Sequence, residues 1–345
     1  MEDAKAITRI DLETVISDIL ATIDRERERE IVARRYGLYD RKETLEQIGE
    51  LLNITRERVR QLEKSVVAKL KLAAEKELPH IREIEETINA RLETVGHVAR
   101  VSELTEHLTN DGSKIDQSRV AFIAELSPKL SVIEDNDHYH HSVGAKHVHD
   151  EKSIKDQVSK IISVVEEIGE PASASALREK TGHPTDSSVN ALASVSKQLA
   201  SLNGKWGLAK WPLVNPKNIR DKIYVILSDK GKPMHFNDIA KAIKESSFRR
   251  KDVTTQAIHN ELIKDKRLVL IGRGIYALSE WGYSRGTVAD MITDVLKKAG
   301  EPLHRDEIVK RVLKSRQVKE TTILLNLQGK PQFKRVAKAT YALAD

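Results

Sequence analysis

The stretch TRERVRQLEKSVVAKL, residues 55–70, decides how the amino-terminal part of the chain folds. At 100° per residue its apolar side chains fall on one stripe of a helix, and the polar ones face away from that stripe. The stripe consists of Val59, Leu62, Val66 and Leu70, and the opposite side carries Glu57, Arg60, Gln61 and Lys64, with Arg56 and Arg58 on the flanks. Thr55 precedes the helix and can cap it through its hydroxyl. The pattern predicts an amphipathic helix with mixed hydrogen-bonding groups crowded at its amino-terminal end.

The residues just before this helix predict a shorter helix and a tight turn. TLEQIGELL, residues 44–52, places Leu45, Ile48 and Leu52 on one side, and Gly49 lets a second helix approach closely. Such a pair is typical of a helix-turn-helix, in which the second helix presents polar residues to the major groove. There Arg binds guanine, Glu accepts from cytosine N4 and Gln pairs with adenine. A solvated charged face is the alternative, because short patterns recur by chance.

The segments RYGL, TLEQIGELL and TRERVRQLE also resemble a known protein family. Residues 20–72 strongly resemble region 4 of the sigma-70 family of bacterial transcription initiation factors. In that family the element reads the −35 promoter hexamer and docks on the flap of the RNA polymerase β subunit. The resemblance implies that Arg56, Glu57, Arg58, Arg60 and Gln61 read DNA and that Arg35 and Thr44 contact phosphates. The helix pattern adds Thr55 and Lys64 to this predicted DNA-binding set. Ser65 stands where the family often places a lysine, which leaves the far edge of the recognised sequence open.

Family members that open promoters carry an aromatic-rich region upstream of this element, which captures unpaired bases. Here about 20 residues precede the matching segment, and aromatic residues make up 4% of the chain. Stacking platforms for single strands need such rings. We therefore expect a reader of promoter DNA that does not melt it alone, rather than a complete sigma factor.

The rest of the chain repeats one pattern. A helical stretch ends at Gly, a Pro or Val follows two residues later, and a new amphipathic helix begins. The four copies are VGHVARVSELTEHL (95–108), IGEPASASALREKT (168–181), KGKPMHFNDIAKAI (230–243) and AGEPLHRDEIVKRV (299–312). The later copies end in predicted hairpins at 197–211, 267–281 and 333–345, of which the last lacks the glycine. In the first copy, residues 129–143 fit this hairpin pattern only loosely. Three helices and a hairpin predict winged-helix domains.

The predicted fold class is therefore mainly α with small β-hairpin wings. A helix-turn-helix module at 1–80 precedes about four tandem winged-helix domains, at 81–150, 151–215, 216–283 and 284–345. A set of generic small α+β domains is the alternative. Residues 216–282 further resemble the HARE-type helix-turn-helix domain, a winged helix found in the delta subunit of bacterial RNA polymerase and in restriction and chromatin proteins. This resemblance implies an adaptor associated with transcription or nucleic acid.

The charge is unevenly distributed along the chain. The net charge is +6, with +6 in each of 216–283 and 284–345 and −6 in 81–150. A polyanion is attracted to the carboxy-terminal third and repelled by the acidic segment. Phosphate neutralisation dominates affinity for nucleic acid. The predicted secondary DNA-binding residues are His259, Asn260, Lys264, Lys266, Arg267 and Arg273 in the third copy, and Lys319, Lys334 and Arg335 in the fourth. A basic surface that docks on an acidic protein is the alternative.

A histidine-rich tract, HYHHSVGAKHVH at 138–149, raises the question of a metal site. Imidazoles bind zinc and nickel. A flexible loop sets no fixed ligand geometry, so the favoured interpretation is a solvated hinge between the first two winged-helix domains. No metal and no cofactor are predicted.

Several classes of function find no support. The chain has no cysteine, which excludes disulfides and thiolate chemistry. The short GRG at 272–274 lacks the lysine and context of a P-loop, and no catalytic constellation matches a motif, so we do not expect an enzyme. The amino-terminal stretch is acidic and helical in period, and no apolar run approaches a membrane span of roughly 20 residues. A cytoplasmic, nucleoid-associated protein is expected.

Two functions remain open. The first is a bacterial sequence-specific DNA-binding transcription factor that reads a −35-like element in double-stranded DNA and contacts the RNA polymerase core. The second is an RNA polymerase-associated adaptor whose winged helices bind proteins rather than DNA. An accessory subunit of a restriction system is a more distant third.

Overall fold

Helices form most of the chain in the computed structural model, which describes residues 10–109, 112–248, 252–283, 286–315 and 318–344. The chain divides into two compact units, 1–210 and 211–345. The strands of the described residues are short and form antiparallel sheets of three strands each. The mainly helical class with small hairpins is thereby confirmed. The predicted domain boundaries are finer than this division and stay a prediction.

The first unit begins with four helices and continues with two repeats of one element order. The helices are α1 (Leu12–Ala21), α2 (Glu26–Tyr36), α3 (Leu45–Leu52) and α4 (Arg56–Ala74). The first repeat contains α5 (Ile81–Val95), β1 (Val98–Arg100), α6 (Val101–Leu108), α7 (Lys114–Leu126), β2 (Leu130–Ile133) and β3 (Ser142–Ala145). The second repeat contains α8 (Glu151–Ile168), β4 (Ala172–Ser173), α9 (Ala174–Thr181), α10 (Asp186–Val195), β5 (Leu199–Leu202) and β6 (Lys205–Leu208).

The second unit carries the same element order twice. The third repeat contains α11 (Ile219–Lys230), β7 (Met234–His235), α12 (Phe236–Glu245), α13 (Thr255–Lys264), β8 (Leu268–Leu270) and β9 (Ile275–Leu278). A short 3₁₀ turn, Ser279–Trp281, follows it. The fourth repeat contains α14 (Val288–Ala299), β10 (Leu303–His304), α15 (Arg305–Ser315), α16 (Glu320–Gly329), β11 (Phe333–Ala337) and β12 (Thr340–Leu343).

All four sheets of the described residues share one strand order. The last strand of each repeat lies in the middle, with the first strand on one side and the second strand on the other. In the first repeat, Val98 pairs with Gly144 and Leu130 pairs with Ala145. The three predicted hairpins are present as β5–β6, β8–β9 and β11–β12, and 129–143 contributes a fourth, β2–β3. The repeat read from the glycine pattern is therefore also a structural repeat.

The glycines of that pattern end helices, as predicted. Each of the four adopts a positive φ as the residue that caps the first helix of its repeat, where the left-handed region favours glycine. They are Gly96, Gly169, Gly231 and Gly300. The following short strand then turns the chain into the next helix.

The core of the first unit is continuous from α1 to β3. It joins apolar side chains of α1, α2 and α4 to those of the first repeat. Helix α7 lies within this core, since every side chain from Arg119 to Ala124 is buried. The rings of Tyr36 and Phe122 pack at 4.7 Å, and Lys71 pairs with Glu125 at 3.1 Å. The helix-turn-helix module therefore lies on the third helix of the first repeat.

The histidine tract is not a solvated hinge, so that prediction was wrong. Residues 142–145 form β3, the buried central strand of the first sheet, and His149 is also buried. Before the strand, the His140 N–H donates to the carbonyl of Val195 at 2.8 Å, and the Lys197 N–H donates to the carbonyl of His138 at 2.8 Å. These backbone bonds tie the tract to the second repeat and stabilise the joint between the repeats.

Candidate nucleic-acid interface

The turn between α3 and α4 is built from local capping. The Thr44 hydroxyl accepts from the Gln47 N–H at 3.2 Å, and the Gln47 side chain accepts from the Thr44 N–H at 2.9 Å. This reciprocal pair is a capping box, which satisfies free donors at the helix start. Asn53 ends α3 in the left-handed region, with φ at +52°. A Cβ on Gly49 would lie 2.7 Å from the Ile54 carbonyl oxygen, so the close approach predicted for this glycine is confirmed.

Helix α4 is fixed by the predicted apolar stripe. Val59 is fully buried against Ile31 and Ile48, and Leu62 packs partly buried on the same cluster. Val66 and Leu70 enter the larger core of the first unit. At the amino-terminal end, the Thr55 hydroxyl accepts from the Arg58 N–H at 3.2 Å. These contacts leave the first two turns of α4 with their polar side facing solvent.

The predicted DNA-reading side chains lie together at this end of α4. Arg56, Glu57, Arg58 and Gln61 are exposed, and Arg60 is partly exposed. Arg56 pairs with Glu46 of α3 at 2.7 Å. Arg58 donates to the Gln61 side-chain oxygen at 3.4 Å, and the Gln61 amide donates to Glu57 at 3.3 Å. Lys64 is exposed one turn further along the helix. Surface pairs of this kind are weak, so a ligand can replace them at low cost.

Glu57 and Arg60 form the tightest pair of this surface. Arg60 donates through Nε and Nη2 to the two carboxylate oxygens of Glu57, at 2.8 and 2.6 Å. These hydrogen bonds from Arg60 lower the pKa of Glu57 to about 2. Glu57 is therefore an anion at any physiological pH and can only accept hydrogen bonds. An exposed carboxylate among arginines can accept from a base amino group but repels phosphate.

Arg35, Thr44 and Thr55 are placed differently from the reading set. Arg35 is half-buried, pairs with Glu63 at 3.5 Å and donates to the Glu43 carbonyl at 3.4 Å. The hydroxyls of Thr44 and Thr55 accept from backbone N–H groups of their own helices. The threonines are structural caps in this arrangement. Phosphate contact by these three residues stays a prediction.

The predicted contacts of the third repeat are dispersed. Lys264, Lys266 and Arg273 are exposed, and Asn260 accepts from Gln256 at 3.1 Å. His259 lies between rings, 5.2 Å from Phe236 and 6.4 Å from Tyr276. Sequence reasoning missed this ring cluster, because its members are far apart along the chain and no local pattern connects them.

Arg267 serves a structural role. Its guanidinium pairs with Asp265 at 2.7 Å and with Asp221 at 3.2 Å, and it lies 4.9 Å from the centroid of the Tyr224 ring. The Asp265 carboxylate is itself buried and receives several of these bonds. Arg267 therefore balances buried charge inside the third repeat, which makes it a weaker candidate for DNA contact than its exposed neighbours.

In the fourth repeat the three predicted residues are exposed at two places. Lys319 precedes the first turn of α16, and Lys334 and Arg335 lie on β11. Arg335 donates to the Ala337 carbonyl at 3.1 Å. The helix start and the wing strand thus both carry positive charge, as the sequence predicts.

The third helices of the first two repeats are covered within the first unit. In α7, Arg119 donates to the Leu38 carbonyl at 2.9 Å and pairs with Glu13 at 3.0 Å. In α10, the Ser194 carbonyl accepts from Arg100 of the first repeat at 2.5 Å. These contacts join both helices to neighbouring modules of the first unit. The run VAFIA at 120–124, apolar on every side, was the sequence signal for this burial.

A polar cleft of about 870 Å³ lies between the helix-turn-helix module and the first two repeats. Its walls carry Arg35, Lys42, Glu63 and Glu125 over an apolar floor. Burial raises the pKa of Glu63, and Arg35 opposes that shift.

Within the described residues, no group of three or more histidine, aspartate or glutamate side chains is placed to hold a metal ion. None of the described helices is long and apolar enough to cross a membrane.

Comparison with known proteins bears on the same part of the chain. The family model of sigma-70 region 4 matches residues 25–72. RNA polymerase sigma factor SigA1 of Synechococcus elongatus is 48% identical over 71 residues, which are 20% of this chain and 16% of the relative. Sigma factor RpoD of Helicobacter pylori is 46% identical over 67 residues, 19% of this chain and 10% of the relative. Sigma factor RpoS of Coxiella burnetii is 40% identical over 86 residues, 25% of this chain and 22% of the relative.

The match is specific but short. The chain spans between 10% and 22% of the length of these three relatives. Residues 25–72 thus match the family model of sigma-70 region 4, and the predicted resemblance is confirmed there. The HARE-type resemblance of 216–282 stays a prediction.

Proposed function

We propose that this protein is a bacterial transcription factor that reads a −35-like element in double-stranded DNA through the start of α4. The observation that supports this proposal most directly is that Arg56, Arg58 and Gln61 face solvent, while Val59 on the opposite side of the helix is buried in the core. A helix backbone held this way can present these side chains to base edges once their weak surface pairs are replaced. The family match to residues 25–72 supports the same assignment.

We further propose that the four repeats, taken as winged-helix domains, have two different roles. The first braces the helix-turn-helix module through α7, and the second packs on the first through α10. The last two hold flanking DNA through exposed basic residues of helix and wing, notably Lys264, Arg273 and Lys334. The net charge of +6 in each of 216–283 and 284–345 supports this contact with phosphates.

The relation to RNA polymerase follows from the same module. We propose that the chain contacts the RNA polymerase core at the β flap, and that it acts in the cytoplasm on nucleoid DNA. It does not open promoters alone, an expectation supported by the aromatic content of 4%.

Selection from a random pool of duplex DNA tests the reading function. The wild-type chain is expected to enrich one short motif, and the variant Arg56→Ala, Arg58→Ala, Arg60→Ala is expected to enrich none. A matched control removes three other exposed basic residues of the first unit, Lys69, Lys76 and Arg82, and keeps the motif. Enrichment of the same motif by the triple α4 variant would refute the proposal.

The second candidate is an RNA polymerase-associated adaptor that binds proteins rather than DNA. The acidic segment 81–150, at −6, favours it, because this segment is a poor partner for a polyanion. Retention on immobilised RNA polymerase, with no shift of any duplex at low salt, would favour the adaptor. Loss of motif enrichment in the α4 variant with polymerase binding intact would instead separate the two activities.

A further inference from the structure

Four rings form a cluster in the third repeat. The imidazole of His235 and the ring of Phe236 lie 4.4 Å apart with a tilt of 33°. Phe236 contacts His259 edge-on at 5.2 Å, and His259 contacts Tyr276 edge-on at 6.4 Å. Tyr276 is buried and the other three rings are partly exposed. The cluster therefore begins in the core and ends at the surface with His235.

A groove of about 510 Å³ opens beside this outer ring. Its floor is formed by His235, Met234 and Ile275, and its rim carries Lys230, Lys232 and Asp238. The rim is thus net positive over a floor that contains an aromatic ring. The volume is that of a small-ligand site.

The ring of His235 is held in place. Its Nδ1 accepts from the Asn237 N–H at 3.3 Å, which caps α12. On the other side, Gly274 of the wing turn has φ at +69°, and a Cβ there would lie 2.6 Å from His235 Nε2. The Phe236 N–H donates to the Gly274 carbonyl at 2.9 Å. The groove wall is consequently preorganised, so little entropy is lost when a ligand packs on it.

The chemistry of the groove points to one kind of ligand. A planar ring packs on aromatic side chains, histidine included, and a phosphate pairs with lysine. A nucleotide offers both groups, but the bases of a duplex are already stacked on each other. We propose that this groove binds an unpaired nucleotide of a single-stranded nucleic acid. The site is distinct from α4, which reads duplex DNA under the proposed function.

The fourth repeat supplies an internal comparison. Its sequence LHRD places Arg305 where MHFN has Phe236, and ILLN places Leu324 where IHNE has His259. The ring cluster is therefore a property of the third repeat and not of the repeat pattern. Lys297 and Lys298, exposed near the end of α14, provide a matched pair of lysines outside the groove.

Fluorescence anisotropy with labelled oligonucleotides tests the proposal. Every chain is full length and carries Arg56→Ala, Arg58→Ala and Arg60→Ala, so that α4 does not contribute. The probes are a 12-residue oligothymidine, an abasic strand with the same number of phosphates, and the matching oligo-5-methyluridine, which differs from oligothymidine only in its 2′-hydroxyl groups. The chain is expected to bind oligothymidine at least roughly fivefold more tightly than the abasic strand, the lower end of measured base stacking on a ring.

Two variants assign that preference to the groove. His235→Asn removes the ring but keeps a residue that caps helices well, and it is expected to bind both strands equally while unfolding at the wild-type temperature. Lys230→Gln with Lys232→Gln is expected to weaken binding of both strands by a similar factor. The control Lys297→Gln with Lys298→Gln has a smaller effect.

Three results would overturn the proposal. They are equal affinity for oligothymidine and the abasic strand, a base preference that survives His235→Asn, and equal effects of the two lysine pairs. Sensitivity to Lys230 and Lys232 without any base preference would show that the groove binds phosphates alone, which also overturns the proposal. A difference between oligothymidine and oligo-5-methyluridine that is lost in His235→Asn supports the site and assigns its preferred strand to DNA or RNA.

Discussion

Arg60 donates two hydrogen bonds to Glu57 across one turn of α4, at 2.8 and 2.6 Å. The pair lies in the middle of the predicted reading surface and holds one cation and one anion side by side. A base pair that enters this surface must therefore satisfy both charges. The geometry gives the surface a way to prefer one base over another, beyond attraction to phosphate.

Substitution Glu57→Ala is the first prediction. Removing the anion raises affinity for duplexes of arbitrary sequence, because the repulsion of phosphate is removed with it. Discrimination between bases at one position of the DNA site falls by roughly tenfold, since the acceptor for a base amino group is gone. Competition binding with singly substituted duplexes measures both effects. Unchanged discrimination at every position would show that Glu57 only orients Arg60.

The second prediction concerns basic residues of the third repeat. Lys264→Gln with Arg273→Gln is expected to reduce the slope of log affinity against log salt, by up to about 0.9 for each phosphate that is no longer neutralised. The preferred sequence stays the same, because protein groups that bind phosphate read no base information. Binding titrations from low to moderate salt give the slope.

Arg267→Gln is the matched comparison for that experiment. Its partner Asp265 is buried, so the variant is expected to lower the free energy of unfolding by about 1–3 kcal/mol. Its salt slope remains close to that of the wild type. A larger change of slope in Arg267→Gln than in the double variant would mean that Arg267 binds DNA directly after all.

The third prediction uses the turn of the last hairpin. Ala339 has φ at +56°, in the region where Gly274 lies at the same point of the third repeat. A left-handed alanine costs about 1 kcal/mol relative to glycine, so Ala339→Gly is expected to stabilise the second unit by roughly 0.5–1 kcal/mol. Gly274→Ala is expected to destabilise it more strongly, because the new Cβ would meet His235. Denaturant unfolding of the two variants gives the order.

The fourth prediction is a loss of stability in mild acid. Burial lowers the pKa of His140, His141, His149 and His183 in the first unit. A histidine with a depressed folded pKa binds protons more weakly in the native state, so stability is complete above the unfolded pKa of about 6.5 and decreases as the pH falls below it. Unfolding midpoints at pH values of about 8 and about 5.5, on either side of that unfolded pKa, measure the decrease.

A histidine variant isolates this cause from the carboxylates. His149→Gln keeps a hydrogen-bonding side chain beside Gln157 and removes one titrating group, so the difference between the two pH values becomes smaller. An unchanged difference in that variant would assign the acid sensitivity to groups other than His149.

Local pattern predicted the helix-turn-helix well. The spacing of Val59, Leu62, Val66 and Leu70 defines the buried face because a helix has a fixed period. Gly49 and the caps Thr44 and Thr55 act within a few residues of the chain. The reading surface follows from these local features, and so do the hairpins that end the repeats.

Features that depend on distant residues were not predicted. The pairing of Arg267 with Asp221 joins positions 46 residues apart, and the contact of Tyr36 with Phe122 joins two modules. Strand β3 has the small sequence SVGA and is buried on both faces, so it lacks the alternation that marks a half-exposed strand. Its histidine neighbours were therefore mistaken for a hinge.

Protection mapping on promoter DNA tests the central claim most directly. The wild-type chain is expected to protect a short −35-like segment, with protection that weakens steeply as salt rises. Chains carrying Arg56→Ala, Arg58→Ala and Arg60→Ala are expected to lose that protection, while the control at Lys69, Lys76 and Arg82 retains it. The same protected segment in the triple α4 variant would contradict the assignment of base reading to the start of α4.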